Sequence, residues 1–144
     1  MSTPRGRAVV VGAGIAGLAT AALLAREGYQ VDVLEQRDTI GGRAGTWEVG
    51  GFRFDTGPSW YLMPEVFEHF FALLGTSADA ELDLVTLDPA YRVFFGDAAP
   101  LDLTTGRAPA QFEAVEPGAG AALEAYLGSA RAAYDLALRE FLYT

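Results

Sequence analysis

The chain has 144 residues, a formal net charge of −9 and no cysteine. The charge disfavours nucleic acid and simple attraction to anionic lipid, and the missing thiols exclude disulfides, thiolate catalysis and cysteine zinc sites. With 51% hydrophobic residues, 17 glycines and 20% charged residues, the composition is that of a glycine-rich α/β enzyme rather than a disordered chain, at a length that buries a sizeable core.

Val9, Val10 and Val11 form a short apolar run bounded by glycine, which predicts a strand of a buried parallel sheet. Gly12, Gly14 and Gly17 follow at GxGxxG spacing. Such a turn converts a strand into a helix whose first N–H groups face open space, a site for a pyrophosphate. Gly12, Ala13, Gly14, Ile15, Ala16 and Gly17 are therefore candidate dinucleotide-binding residues. A rival reading takes Arg5 and Arg7, followed by the uncharged residues 8–25, as a signal peptide or membrane span. Against it, each of the three glycines would cost about 1 kcal/mol inside a continuous helix, and a strand pattern follows directly.

The helix is predicted from Leu18, Ala21, Leu24 and Ala25, with Gly28 as its left-handed stop. Residues 30–35 make the second strand and end on Glu35, eighteen residues after Gly17. A carboxylate at that strand end accepts hydrogen bonds from ribose hydroxyls, with Gln36 beside it, and repels a 2′-phosphate; Arg37 points the other way. Next come Gly41, Gly42 and Arg43, where a domain of the NAD type would start another helix. Two glycines let the backbone approach phosphate oxygens, and Arg43 adds a fixed positive charge.

A hairpin is predicted from Thr46–Val49 and Phe52–Asp55 around a Gly50-Gly51 turn. Counting back from the turn pairs Val49 with Phe52, Glu48 with Arg53, Trp47 with Phe54 and Thr46 with Asp55. Asp55, Thr56, Gly57, Pro58 and Ser59 then read as an irregular loop, with Trp60 and Tyr61 as core aromatics or as lining of an apolar channel. Pro64 opens a helix that Gly75 closes. Its apolar face lies opposite His69, the only histidine, which reads as a surface residue. One histidine without cysteines predicts no metal site.

Residues 77–82 read as a linker, and residues 82–87, 91–95 and 100–103 as strands beginning a second, antiparallel sheet. From Glu116, Pro117 and Gly118 introduce a long helix carrying Leu123, Tyr126, Leu127, Ala130, Tyr134, Leu138 and Phe141 at helical spacing. That helix has no stop signal, and two parallel strands are too few for a doubly wound sheet, so the expectation is the front part of a longer enzyme.

The run VVVGAGIAGLATAALLAREGYQVDVLEQRDTIGGRAG resembles the N-terminal signature of the flavin-dependent amine oxidase superfamily. The continuation GGFRFDTGPSWYLMPEVFEHFFALLG is similar to bacterial phytoene desaturases and related carotenoid desaturases. The resemblance implies an α/β fold: a Rossmann-like FAD-binding βαβ unit with a β-hairpin insertion over residues 1–76, and the start of an α+β substrate-binding region over residues 77–144. It implies FAD rather than NAD, with Gly57, Pro58 and Ser59 near the flavin half. The implied reaction passes a hydride from a long apolar polyene to the flavin, with no catalytic acid or base assigned; Asp55 is the polar residue near the loop worth testing. Implied partners are the polyene, the remainder of a longer chain and peripheral contact with a membrane from the cytoplasm, with the fragment itself inactive. The alternatives are an amine or protoporphyrinogen oxidase, a carotenoid isomerase or ketolase, or a non-catalytic FAD-binding module.

Overall fold

The computed structural model describes residues 4–58 and 60–142. Ser59 therefore lies outside the described residues. The chain divides into two compact units, one running to Leu84 and one starting at Val85.

The first unit opens with β1 (Arg7–Val11), α1 (Ile15–Arg26) and β2 (Gln30–Leu34). β1 and β2 pair in parallel, from Arg7 opposite Gln30 to Val11 opposite Leu34. Parallel strands need a crossover, and the small residues of α1 let it lie close on the pair, with Ala21 buried. Gly28, at φ +89°, turns the chain out of α1. Its N–H donates to the Ala25 carbonyl while that of Tyr29 reaches Leu24, so the helix end is satisfied as β2 begins. Residues 8–25, the rival signal segment, are thus divided between a strand and a helix. Among the described residues no helix is long and apolar enough to cross a membrane.

β3 (Thr46–Val49) and β4 (Phe52–Asp55) form the hairpin in the register obtained by counting. Gly50 and Gly51 take φ values of +58° and +82°, the left-handed pair that a two-residue turn between twisted strands demands. Trp47 and Phe54 meet across the strands with ring centroids 5.5 Å apart. α2 (Pro64–Leu74) starts at its proline and ends at Gly75, φ +85°, and His69 lies on its exposed side. Tyr61 packs against Phe67 at 4.8 Å, whereas Trp60 is largely exposed. The expected linker over residues 77–82 instead holds a one-turn helix, α3 (Ala78–Glu81), because the Ser77 hydroxyl oxygen accepts from the Ala80 N–H and caps it.

The second unit contains β5 (Tyr91–Val93) and β6 (Leu101–Leu103), paired antiparallel, then α4 (Ala108–Val115) and α5 (Ala119–Ala137), which runs on into a π-helical turn, Leu138–Leu142. One expectation is corrected here. Residues 82–87 are not a strand, because apolar alternation alone does not make one and no neighbour pairs with them among the described residues. The long helix starts at Ala119, with Gly118 as its N-cap as the Pro117-Gly118 pair predicts, but α4, unforeseen, precedes it. The Glu113 carboxylate of α4 accepts from the N–H groups of Gly118 and Gly120, joining the two helices at their corner. Arg92 and Asp102 pair across β5 and β6, and Gln111 secures β6 by donating to the Asp102 carbonyl and accepting from the Thr104 N–H.

Candidate dinucleotide site

The site is assembled where β1, α1, β2 and the loop after β2 converge. The Gly12 N–H donates to the Leu34 carbonyl at 2.7 Å, carrying the β1–β2 ladder one residue past the strand, and Gly12 then turns at φ +98°. Gly14 is the N-cap of α1 and has no side chain to offer, and the first turn contains no acid. Helix geometry leaves the first-turn N–H groups without partners inside α1, so they and the helix dipole favour an anion at this end.

Ala13, only 2% exposed, lies beneath the turn and is engaged at both backbone groups. Its N–H donates to Glu35 Oε2 at 2.7 Å, and its carbonyl accepts from the Gly41 N–H at 2.8 Å. Glu35 Oε1 accepts in turn from the Arg37 N–H at 3.0 Å. The Ala13 bond, followed by the Arg37 bond, holds the Glu35 carboxyl below its ordinary pKa, so it is a carboxylate at neutral pH. A carboxylate has roughly four lone-pair sites, so the backbone donors, the Gln36 N–H included, leave room for a hydroxyl donor.

Close backbone contacts explain why glycine recurs here. Gly14 and Gly41 form a parallel bridge. A Cβ on Gly42 would lie 3.1 Å from the Gly14 Cα, and one on Gly17 would fall on the Gly12 carbonyl oxygen. A Cβ on Gly57 would likewise fall on the Arg43 carbonyl oxygen, 2.9 Å from its carbon, so the Gly57-Pro58 segment packs directly on the Gly41-Gly42-Arg43 loop. The Thr56 N–H donates to the Gly45 carbonyl at 2.9 Å and fixes the same approach.

Two open cavities flank this junction. The larger, about 1150 Å³, runs from Gly12 and residues 14–17 past Gly41, Gly42 and Arg43 to Thr56, Gly57 and Pro58. The smaller, about 390 Å³, is lined by Glu35, Gln36 and Arg37 together with Gly12, Gly42 and Arg43. The described candidate residues are thus gathered on one face of the unit, except Ala13, which supports the turn from below. Asp55 stays in the hairpin, opposite Thr46. Thr56, a polar residue of the irregular loop, lines the larger cavity, and Arg37 lines both. Among the described residues no group of three potential metal ligands occurs.

The family model for the NAD(P)-binding Rossmann-like domain matches residues 10–76. The carotenoid 3,4-desaturase of Haloarcula japonica is 49% identical over 136 residues, 93% of this chain and 28% of that protein. The zeta-carotene-forming phytoene desaturase of Myxococcus xanthus is 43% identical, with 95% of this chain and 27% of the relative covered. The phytoene dehydrogenase of Streptomyces griseus is 49% identical over 82% of this chain and 23% of its own length. The chain spans about a quarter of the length of these curated relatives.

Proposed function

Because the chain belongs to the phytoene and carotenoid desaturase family, we propose that it contributes the nucleotide-binding part of an FAD-dependent oxidoreductase that desaturates a long apolar polyene such as phytoene. The cofactor reading is supported chiefly by the continuity of the larger cavity, from the N-terminus of α1 to Gly57 and Pro58. A glycine loop and a hairpin stand where an NAD domain would continue with a helix after β2, and they extend the groove away from the sheet.

In this reading the first-turn N–H groups of α1 hold the pyrophosphate and Arg43 offsets its charge. Glu35, beside Gln36, accepts hydrogen bonds from the adenosine ribose. Gly57 and Pro58, with Ser59, border the flavin half. FAD, when bound, supplies the hydride acceptor for oxidation of a saturated carbon–carbon bond. The chain's own contribution is to bind and orient that group, and none of its residues is given a proton to carry. Residues 1–76 belong to the cofactor domain and residues 77–144 begin the substrate-binding region, completed by the remainder of a longer polypeptide. A polyene dissolved in a bilayer favours a cytoplasmic protein that meets the membrane peripherally.

The test is a fluorescence titration of the purified full-length polypeptide that carries these residues with FAD, NAD and NADP, followed by anaerobic addition of phytoene to the flavin-loaded form. Selective binding of FAD and substrate-driven bleaching of its visible absorbance are expected. Preference for NAD or NADP would overturn the cofactor assignment. Bound flavin that never bleaches with polyenes would favour the non-catalytic module.

A further inference from the structure

We propose that Glu35 has a second task besides meeting a ribose: it is a positioning residue that holds the glycine turn and the following loop in register before any nucleotide arrives. Its two carboxylate oxygens each accept a backbone N–H, from Ala13 at 2.7 Å and from Arg37 at 3.0 Å. The first of these crosses from the end of β2 to the turn between β1 and α1. Ala13 is buried and its carbonyl receives the Gly41 N–H at 2.8 Å, so the brace passes through one residue into the Gly41-Gly42-Arg43 loop. The close approach of Gly42 to Gly14 then depends on that same alignment.

The chemistry explains why a carboxylate suits this place. Two N–H donors converge on the side chain, and only an acceptor-only group with two oxygens meets both. Glutamine has one acceptor and would turn its own NH₂ towards one of the donors. Aspartate keeps both oxygens and the charge but is one methylene short of spanning the same gap. The lowered pKa of Glu35 agrees with this arrangement.

A ribose contact alone requires nothing of the ligand-free protein, whereas a brace acts in its absence. Amide hydrogen exchange, measured without nucleotide on wild type, Glu35→Gln and Glu35→Asp, separates the two. The Ala13 amide should exchange about tenfold faster or more in both variants, the scale of losing a hydrogen bond to a charged acceptor. Gly41 should follow it, while Gln30, bonded to the Gly6 carbonyl at the other end of β2, stays unchanged. Ala13 exchange within twofold of wild type in both variants would overturn the proposal. If Glu35→Gln unfolds and Gln30 accelerates with the rest, Glu35→Asp decides: selective release of Ala13 sustains a local brace, and uniform acceleration refutes it. No outcome depends on which dinucleotide binds, so failure of the FAD assignment leaves this test intact.

Discussion

Gly17→Ala and Gly14→Ala should separate the part of the glycine motif that builds the fold from the part that meets a ligand. At Gly17 an added Cβ would overlap the Gly12 carbonyl oxygen, stand 3.1 Å from the Gly12 carbonyl carbon and 3.5 Å from Val10 Cγ1. Relieving that overlap means moving α1 away from the β1 turn by more than about 1 Å, since unstrained contacts begin near 3.5 Å. Backbone lies on both sides of the clash, so no rotamer change can absorb it. We place the cost at the upper end of overpacking, about 3 kcal/mol, which lowers the melting temperature of a chain this size by roughly 10 °C. At Gly14 the backbone is extended (φ −76°, ψ 175°) and the nearest atom to a Cβ is the Gly42 Cα at 3.9 Å. Gly14→Ala should therefore leave the ligand-free melting temperature within about 2 °C, because substitutions that break no contact rarely exceed about 0.5 kcal/mol. Its methyl nevertheless enters the cavity at the N-terminus of α1, so FAD affinity should fall while the fold persists. Thermal unfolding by circular dichroism and a flavin titration on both variants give the answer. Equal melting temperatures for Gly17→Ala and wild type, or equal losses in the two variants, would refute the reasoning.

Arg43→Ala removes a cation from both cavities without opening a core. FAD affinity should drop roughly tenfold or more, as for one charge-assisted hydrogen bond, with the melting temperature unchanged; a variant that binds normally shows that Arg43 does not face the phosphates. In the second unit, the Glu113 carboxyl is held below its ordinary pKa by the Gly118 and then the Gly120 N–H groups. A depressed carboxylate stabilises the folded form above its unfolded pKa, and that contribution disappears as pH falls through the lower, folded value. Glu113→Gln should accordingly melt a few degrees below wild type at pH 7, and the gap should close in acid; a gap that widens on acidification contradicts the sign.

The parts legible in the sequence were those governed by local chemistry. A two-residue glycine turn leaves the hairpin register to simple counting, and Pro64 and Gly75 bound α2 because one residue cannot continue a helix backwards and the other ends it. Glu35 was found because a strand end at fixed distance from a glycine turn places a carboxylate by geometry alone. Residues 82–87 misled because alternation describes a face, whereas a strand also requires a partner. α4 was missed because its sequence, from Ala108 to Val115, carries only a weak apolar periodicity and ends just before the Pro117-Gly118 start signal. Ala13 could not have been recognised as a junction, since its partners lie 22 and 28 residues away in sequence and meet it through backbone atoms.

The parallel pair of β1 and β2 has a practical consequence for handling the molecule. Among the described residues each strand pairs only with the other, and Val9, Val11 and Leu34 are 57%, 84% and 57% exposed. In the absence of the remainder of the longer polypeptide proposed above, a bare parallel edge beside uncovered aliphatic side chains is a template for another copy. Prepared without that remainder, the 144-residue chain should self-associate, and scattering per unit mass should climb as a stock is concentrated. Dilute stocks with a mild non-ionic detergent suit it better than added salt, which screens the mutual repulsion of its nine excess negative charges.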